Sequence, residues 1–392
     1  MVPQQVPEVI ESAPGHEQRP RVDPLRREQL THNEPPFGDE QPEIPKEHAV
    51  GHVPVLGDAA VVRVVDWDDG HGAGGHPAGA MIRPGTCVPE LVTLLVNPSA
   101  GGGHVLDRWP ELPGILARRG DLQVRTSAAA AVLAEQARAA AAEGRTIIVA
   151  GGDGTVNCVL NAVNGFRVRL GVVPVGSGND FARCLGLPRD PPAAARRIAS
   201  GTVTALDLVE VNGHRFATVG GLGLVADTTA LVGRAGRHDS RLRPIIRALG
   251  PHAYLLAAAG QIALSLRTTM RVLVEGLGRG GPWRWEGACH AVFVANQPLL
   301  GAGLRLPVAS SSNDGECEIC VVPQDWRVRL ALNLVCLRGS RPVPEGALLV
   351  FRARSARIEC AERVGFAADG EVFESGRSFS VDVRAGALDV LG

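Results

Sequence analysis

From Leu91 onward, short apolar runs alternate with stretches of helical periodicity. The runs are "LVTLLVN", "LQVRTS", "RTIIVAGG" and "LGVVPVG". Between them lie residues 105–118, interrupted at Pro110 and Pro113, the alanine-rich "AAAAVLAEQARAAAAEG", whose helix propensity carries it to Gly144, and "TVNCVLNAVN". This β-α-β-α-β-α-β order, with strands that are nearly all apolar, predicts an α/β domain: a doubly wound parallel sheet covered by helices on both faces. Ligands of such sheets bind beyond the carboxyl ends of the strands.

After Thr202 the pattern changes. "VTALDLVEV" and "HRFATVGG", joined by Asn212-Gly213, predict a hairpin, because that dipeptide accepts the positive φ angles of a two-residue turn. A helical stretch runs from about 226 to 266, broken around 233–240. The strand-like segments "MRVLVEG", "HAVFVAN", "CEICVV", "LLVFRAR", "RIECA" and "FSVDV" follow. Strands after strands predict a mostly antiparallel second domain, a β-sandwich or distorted barrel. The expected division is a leader over 1–88, a nucleotide-binding α/β domain over 89–204 to which residues 376–392 can return, and a β-rich substrate domain over 205–375. A cleft between the two folded domains is the default ligand site.

Charge sets the leader apart. Residues 1–88 hold 14 acidic and 7 basic residues, a net charge near −7, and are rich in Pro and Gly with apolar periodicity only at "AVVRVV". Such a segment is expected to be disordered. Residues 89–392 are left with 27 acidic and 33 basic residues, near +6, which suits phosphates or an anionic membrane surface. The opening segment has neither the basic nor the apolar region of a secretion signal. The longest nearly apolar stretch, residues 253–266, falls short of the roughly 18 to 20 residues that cross a bilayer. Scattered cysteines within apolar runs read as free thiols of a reducing cytoplasm, and Cys317 with Cys320 forms a lone C-x-x-C in a strand. Lys46 is the only lysine. Its position in the leader excludes a P-loop, a protein-kinase strand lysine and Schiff-base chemistry from the body.

Candidate chemistry gathers in three glycine-rich turns: "NPSAGGG" (97–103), "GGDGT" (151–155) and "GSGND" (176–180), each after a predicted strand. Any one could be a plain turn. Three on one sheet edge exceed what turn chemistry needs, and glycines at helix starts let backbone amides approach a phosphate. Asp153 is the one carboxylate within the GGDGT turn.

With these loops placed, residues 91–392 resemble the diacylglycerol kinase catalytic family, which includes bacterial soluble lipid kinases and sphingosine kinases. The matching residues are Asn97-Pro98 with Ser99 to Gly101, Gly151 to Thr155 with Asn157, and Gly176 to Asp180 running into Phe181-Ala182-Arg183. Asp207, Asp314-Gly315 and Asp369-Gly370-Glu371 complete the ordered set. Thr218 stands where family members often have Asn, and Cys317-Glu318 replaces a commoner Leu-Asp.

The resemblance implies an ATP-dependent, Mg²⁺-requiring transfer of the γ-phosphoryl group to a lipid alcohol, diacylglycerol or a relative, giving a phosphatidic-acid-type product. ATP would be held by Asn97, Ser99, Gly101, Gly151, Gly152, Gly154, Thr155, Gly176, Ser177, Gly178 and Asn179. Glu371 would be the general base, although "AADGEVF" alone also fits a hairpin turn, and Asp153 would bind Mg²⁺ or line the transfer site. Asp180, Asp207 and Asp314 would surround a second, structural metal, with Asp314 a direct ligand. Arg241, Arg243, Arg247, Arg267 and Arg271 flank the apolar 253–266 stretch, which contains the only tyrosine, Tyr254. That arrangement fits either a buried helix or a helix at a membrane surface. The enzyme is then expected in the cytoplasm, peripheral to the inner membrane face, without a nucleic-acid partner; a homodimer is compatible with the sequence. Two rivals are an NAD kinase, which shares GGDGT and the two-domain plan, and a non-catalytic lipid-binding regulator of the same fold.

Overall fold

The computed structural model describes residues 62–64, 89–238, 245, 249–250, 252–264, 269–300, 304–308 and 311–392. The rest of the leader and Arg241, Arg243, Arg247 and Arg267 lie outside the described residues. The first half contains β1 (Val62–Val64), β2 (Glu90–Val96), β3 (Gly120–Thr126), β4 (Thr146–Gly151) and β5 (Arg169–Pro174). Helices α1 (Val105–Arg108) and α2 (Leu112–Leu116) split at Pro110 as expected, followed by α3 (Ala130–Ala142), α4 (Asp153–Ala162), α5 (Asp180–Cys184) and α6 (Pro191–Ser200). The strands are parallel and ordered β1-β3-β2-β4-β5.

The leader expectation needs a correction here. Val62–Val64 pairs in parallel with Leu122–Val124 on the outer edge of β3, where unpaired backbone groups accept a β-prone Val-Arg-Val segment.

The inner strands β2, β4 and β5 are largely apolar on both faces because helices cover both. Val92, Leu94, Leu95 and Val96 of β2 and residues 147–150 of β4 are all fully buried. α3 contributes Leu133, Ala137, Ala140 and Ala141 to the same core, at the spacing of one helix face. It stops at Gly144, whose φ of +69° suits glycine.

The second half begins with β6 (Val203–Val211) and β7 (His214–Phe216), a hairpin turned by Asn212 (φ 48°) and Gly213 (φ 88°). β8 (Val219–Gly223), α7 (Leu224–His238) and α8 (His252–Leu264) follow. Thus "HRFATVGG" is two strands with different neighbours, and α7 continues through Gly233 to end at His238, within the span 233–240 where a break is expected. Next come β9 (Met270–Gly278), β10 (Gly281–Ala295), β11 (Cys317–Pro323), α9 (Arg327–Arg338), β12 (Leu349–Ala353), β13 (Ser355–Ala368) and β14 (Glu371–Leu391).

β10 shows why its inner run is continuously apolar. Val292 and Val294 join one core with Phe216, Phe366 and Phe379, while Ala291, Phe293 and Ala295 join another beneath α8 and α9. The same alternation puts Cys317 and Cys320 on opposite faces of β11. They cannot share a metal, and burial pushes both thiols up. β14 pairs antiparallel with β6 and β13, and its end pairs in parallel with β5 through Asp389 and Val390, so one sheet runs through both halves.

Candidate active site

β3 lies on one side of β2 and β4 on the other. The connections leaving β2 and β4 therefore diverge and open a crevice beyond their carboxyl ends. β4 is buried along its whole length and ends at Gly151. Gly152 is extended, Asp153 starts α4, and no side chain caps that helix. The first amides and the positive end of the α4 dipole are thus left for an anion.

Space around the glycines separates packing from ligand roles. A Cβ on Gly176 would lie 2.4 Å from Gly152 Cα, and one on Gly178 would lie 2.7 Å from Asp153 Oδ2, so these glycines let two loops touch. A Cβ on Gly101 would sit 2.0 Å from Val175 O. Gly154 differs: a Cβ there would meet nothing within 4 Å, and its φ lies outside the left-handed region. No packing or conformational constraint demands glycine at 154, and its bareness keeps the first turn of α4 open.

Polar side chains lock the loops together. Asn97 donates from Nδ2 to Thr155 Oγ1 (3.1 Å) and accepts at Oδ1 from Ser99 N (3.0 Å), tying the first loop to α4. Asn179, with φ 55°, accepts at Oδ1 from Gly176 N (2.9 Å) and donates from Nδ2 to Gly176 O (2.7 Å). These two bonds brace the turn around Ser177 and Gly178. Asp153 Oδ1 accepts from Phe181 N (3.2 Å), fastening the second glycine loop to the third.

Three carboxylates lie near enough here to feel one another's charge. Burial, then the neighbouring Asp153 charge, pushes Asp180 up to about 6 against the opposing pull of Arg183, which donates to it at 2.9 Å. Burial pushes Asp369 up to about 7, with Asp153 and Asp180 adding to the rise; the hydrogen bonds from Thr218 and Asn157 oppose it. Asn157 Nδ2 reaches Asp369 Oδ2 at 2.6 Å, and Thr218 Oγ1 donates to Oδ1. Asp369 (φ 49°) and Gly370 (φ 85°) form the two-residue turn between β13 and β14, so the hairpin reading of "AADGEVF" is true and the turn also belongs to the site. Glu371 pairs with Ala368 across that turn and is exposed, and its side chain makes no hydrogen bond or ion pair among the described residues. Its charge is felt at Cys158 on α4.

The expected three-aspartate metal set is not assembled. Asp180 stands at the carboxyl end of β5. Asp207 lies in β6 next to Leu206, which pairs with Leu388, level with the amino start of β5. Both Asp207 oxygens are filled by backbone amides, Gly386 N at 2.7 Å and Gly315 N at 2.6 Å. The Asp314 carboxylate accepts from Arg352 and from Glu316 N. Arg352 also pairs with Glu316 (3.4 Å), which Arg279 and Arg354 approach as well. Guanidinium groups supply the positive charge that a structural cation would bring, so the residues at Asp207 and Asp314 do not fit that metal. Among the described residues no group of three or more His, Cys, Asp or Glu side chains is close enough to hold a metal ion unaided.

The sequence pattern offered no sign of Asn296. Buried at the end of β10, it donates to the carbonyls of Asp207 (2.8 Å) and Ala217 (3.1 Å), while its N–H reaches Thr218 O at 2.9 Å. It thereby connects the Asp207 region to the Thr218 that holds Asp369. Asp369 itself was within reach of sequence reading, since it lies in the Asp369-Gly370-Glu371 motif, but only the fold turns its side chain toward Asp153.

Residues 91–211 match the family profile of the diacylglycerol kinase catalytic domain, and residues 229–392 that of the YegS C-terminal NAD kinase beta sandwich-like domain. The diacylglycerol kinase of Bacillus subtilis is 31% identical over 229 residues, covering 57% of this chain and 70% of that protein. A probable lipid kinase YegS-like of Pseudomonas aeruginosa is 30% identical over 249 residues, 62% of this chain and 76% of its own. The crystal structure of a diacylglycerol kinase from Bacillus anthracis superposes with a TM-score of 0.58 at 21% identity, covering 77% of this chain and 96% of that one. This last likeness is one of fold.

Proposed function

The chain belongs to the diacylglycerol kinase catalytic family of lipid kinases, and from that premise we propose that it transfers the γ-phosphoryl group of ATP to the hydroxyl of diacylglycerol or a related lipid alcohol. The product would be a phosphatidic-acid-type phosphomonoester. The observation that supports this reading best is that Asp153, Asp180 and Asp369 lie near enough to feel one another's charge at the uncapped, open start of α4. An anion cradle next to a group of carboxylates is what phosphoryl transfer requires: amides for the phosphates, oxygen ligands for a cation, and a carboxylate to accept the hydroxyl proton.

The amides at the start of α4 would hold the phosphates, with Asn97 fixing the first loop against Thr155. All-oxygen donors fit Mg²⁺, which takes one or two carboxylates and completes its shell with phosphate and water. Asp153 and Asp180 would hold it, and when bound it would neutralise phosphate charge. Glu371, exposed beside the turn, would accept the proton of the attacking hydroxyl. Asp369, gripped by Asn157 and Thr218, would hold the turn and present Glu371.

Radiolabelled ATP offered with dispersed diacylglycerol, a membrane lipid extract or NAD tests this assignment. Label in a phosphomonoester of a lipid supports it. Label in the dinucleotide instead would move the chain to the NAD kinase reading, and no turnover with any acceptor to the regulator reading.

Gly154→Ala probes the cradle directly. Alanine favours a helix by roughly 1 kcal/mol over glycine, and the added methyl meets no protein atom within 4 Å. The variant should therefore melt no lower than the parent while ATP affinity falls at least about tenfold, since a methyl would displace the phosphate from the helix start. Unchanged nucleotide affinity would move the phosphate site away from α4.

A further inference from the structure

We infer that the exposed faces of α8 and α9 form the surface that seats this protein on an anionic lipid bilayer. The inference rests on the lipid-kinase reading above for its purpose, and on independent geometry for its location.

α9 buries Leu330, Asn333 and Leu337. Its opposite face should then be polar, as on an ordinary surface helix. Instead it presents Val328 (83% exposed), Leu332 (50%) and Val335 (60%), one helical turn apart, with Trp326 (84%) just before the helix. Residues 325–345 carry Arg327, Arg329, Arg338 and Arg341 against only Asp325 and Glu345, and Arg329 pairs with Asp325 at 3.1 Å. Apolar residues and a tryptophan together with arginines match the interface of an anionic membrane, where the rings and aliphatic groups enter the headgroup layer and the cations meet lipid phosphates.

α8 extends the surface. It packs beside α9, with Arg327 donating to Ala263 O at 3.1 Å. It carries no Asp, Glu, Lys or Arg, and yet Leu256 (57%), Ala259 and Ala263 are exposed along one stripe. A helix without charges on its solvent side is unfavourable in water and suited to an interface.

The two helices also lead to the site. A Cβ on Gly370 would lie 3.3 Å from the Tyr254 hydroxyl, so α8 abuts the Asp369-Gly370 turn. His252 at the start of α8 and Arg338 at the end of α9 line a pocket of about 410 Å³ together with Gly178 and Asn179 of the third loop. A lipid acceptor must bring its hydroxyl to these carboxylates while its acyl chains stay out of water. A bilayer under α8 and α9 meets both demands.

Co-sedimentation of the full chain with vesicles containing phosphatidylglycerol, and with pure phosphatidylcholine vesicles, tests the inference. The chain should bind the anionic vesicles, less well as salt is raised from about 0.1 to 0.5 M, where screening shortens. Leu332→Glu/Val335→Glu should reduce vesicle binding at least about tenfold while retaining turnover of a water-soluble short-chain acceptor. Should that pair impair folding, Trp326→Ser/Val328→Ser alters side chains that are even more exposed and should give the same loss. Equal vesicle binding by parent and variants overturns the inference, as does a parent that ignores vesicles. So does a variant whose only change is weaker self-association in sedimentation velocity, which would assign the face to a second copy of the chain. Vesicle binding needs no catalysis. A chain that binds vesicles through this face and phosphorylates no lipid keeps the surface and loses the kinase assignment; one that phosphorylates soluble lipid without binding vesicles does the reverse.

Discussion

Asp153→Asn is expected to lower lipid-kinase turnover by roughly 10²- to 10³-fold, the range seen when one preorganised electrostatic group is removed. The fold should survive. The asparagine carbonyl can still accept from Phe181 N, as the carboxylate does at 3.2 Å, and the replacement has the same shape against Gly178. Removing the charge also relieves its repulsion with Asp180 and Asp369, which adds to the rise that burial causes in both. The melting temperature should therefore stay level or rise while turnover falls. That opposition marks a residue kept for chemistry at some expense of stability. Turnover within about threefold of the parent would remove Asp153 from the transfer site, and so would a loss of activity that merely follows unfolding. Vesicle binding should not change, since Asp153 is on neither α8 nor α9 and so is no part of their exposed faces.

What the chain discloses depends on how each element is buried. The strands β2, β4 and β5 are legible because both faces are covered, so they read as nearly continuous apolar runs. The β6–β7 hairpin is legible because Asn-Gly is one of the few dipeptides that readily fit two successive positive φ angles.

α9 escapes for the opposite reason. "RVRLALNLVCLR" has apolar residues on its core face and on its exposed face, and a helix apolar on two sides loses the 3.6-residue contrast on which recognition depends. The glycines at 233 and 236 suggest an early break, and packing of α7 on α8 and β8 carries the helix on to His238. The surroundings of the aspartates expected near a metal are hidden in a different way. Carboxylates at 207 and 314 look like ligands in a sequence, but their partners are the backbone amides of Gly315, Gly386 and Glu316 and the guanidinium of Arg352, none of which spacing can reveal. Asn296 and Thr218 are hidden likewise: their importance lies in which distant carbonyl or carboxylate they meet.

Glu371→Gln should lower kcat by roughly 10²- to 10⁴-fold, the usual cost of losing a positioned acid or base, with ATP affinity little changed. The amide keeps the size of the side chain and cannot take a proton at neutral pH. Positioning and charge dominate phosphoryl transfer, which places the expectation toward the lower end of that range. Fold and nucleotide binding should be untouched, because Glu371 is exposed and its side chain makes no hydrogen bond or ion pair among the described residues. Asp369→Asn gives the contrast. Its carboxylate accepts from both Asn157 and Thr218, so an amide must turn a donor toward one of them and should lower stability as well as turnover. The two variants also differ in their pH signatures. A base works only when deprotonated, so if Asp369 were the base, the rate would fall as pH drops through its raised value, and that acid limb would vanish in Asp369→Asn while Glu371→Gln turned over normally. Kinetics of both variants across pH, with ATP affinity and melting measured alongside, therefore assign the proton acceptor. Normal turnover in Glu371→Gln moves that role to Asp369, and a joint loss of ATP binding and fold in Glu371→Gln makes the exposed carboxylate a structural group.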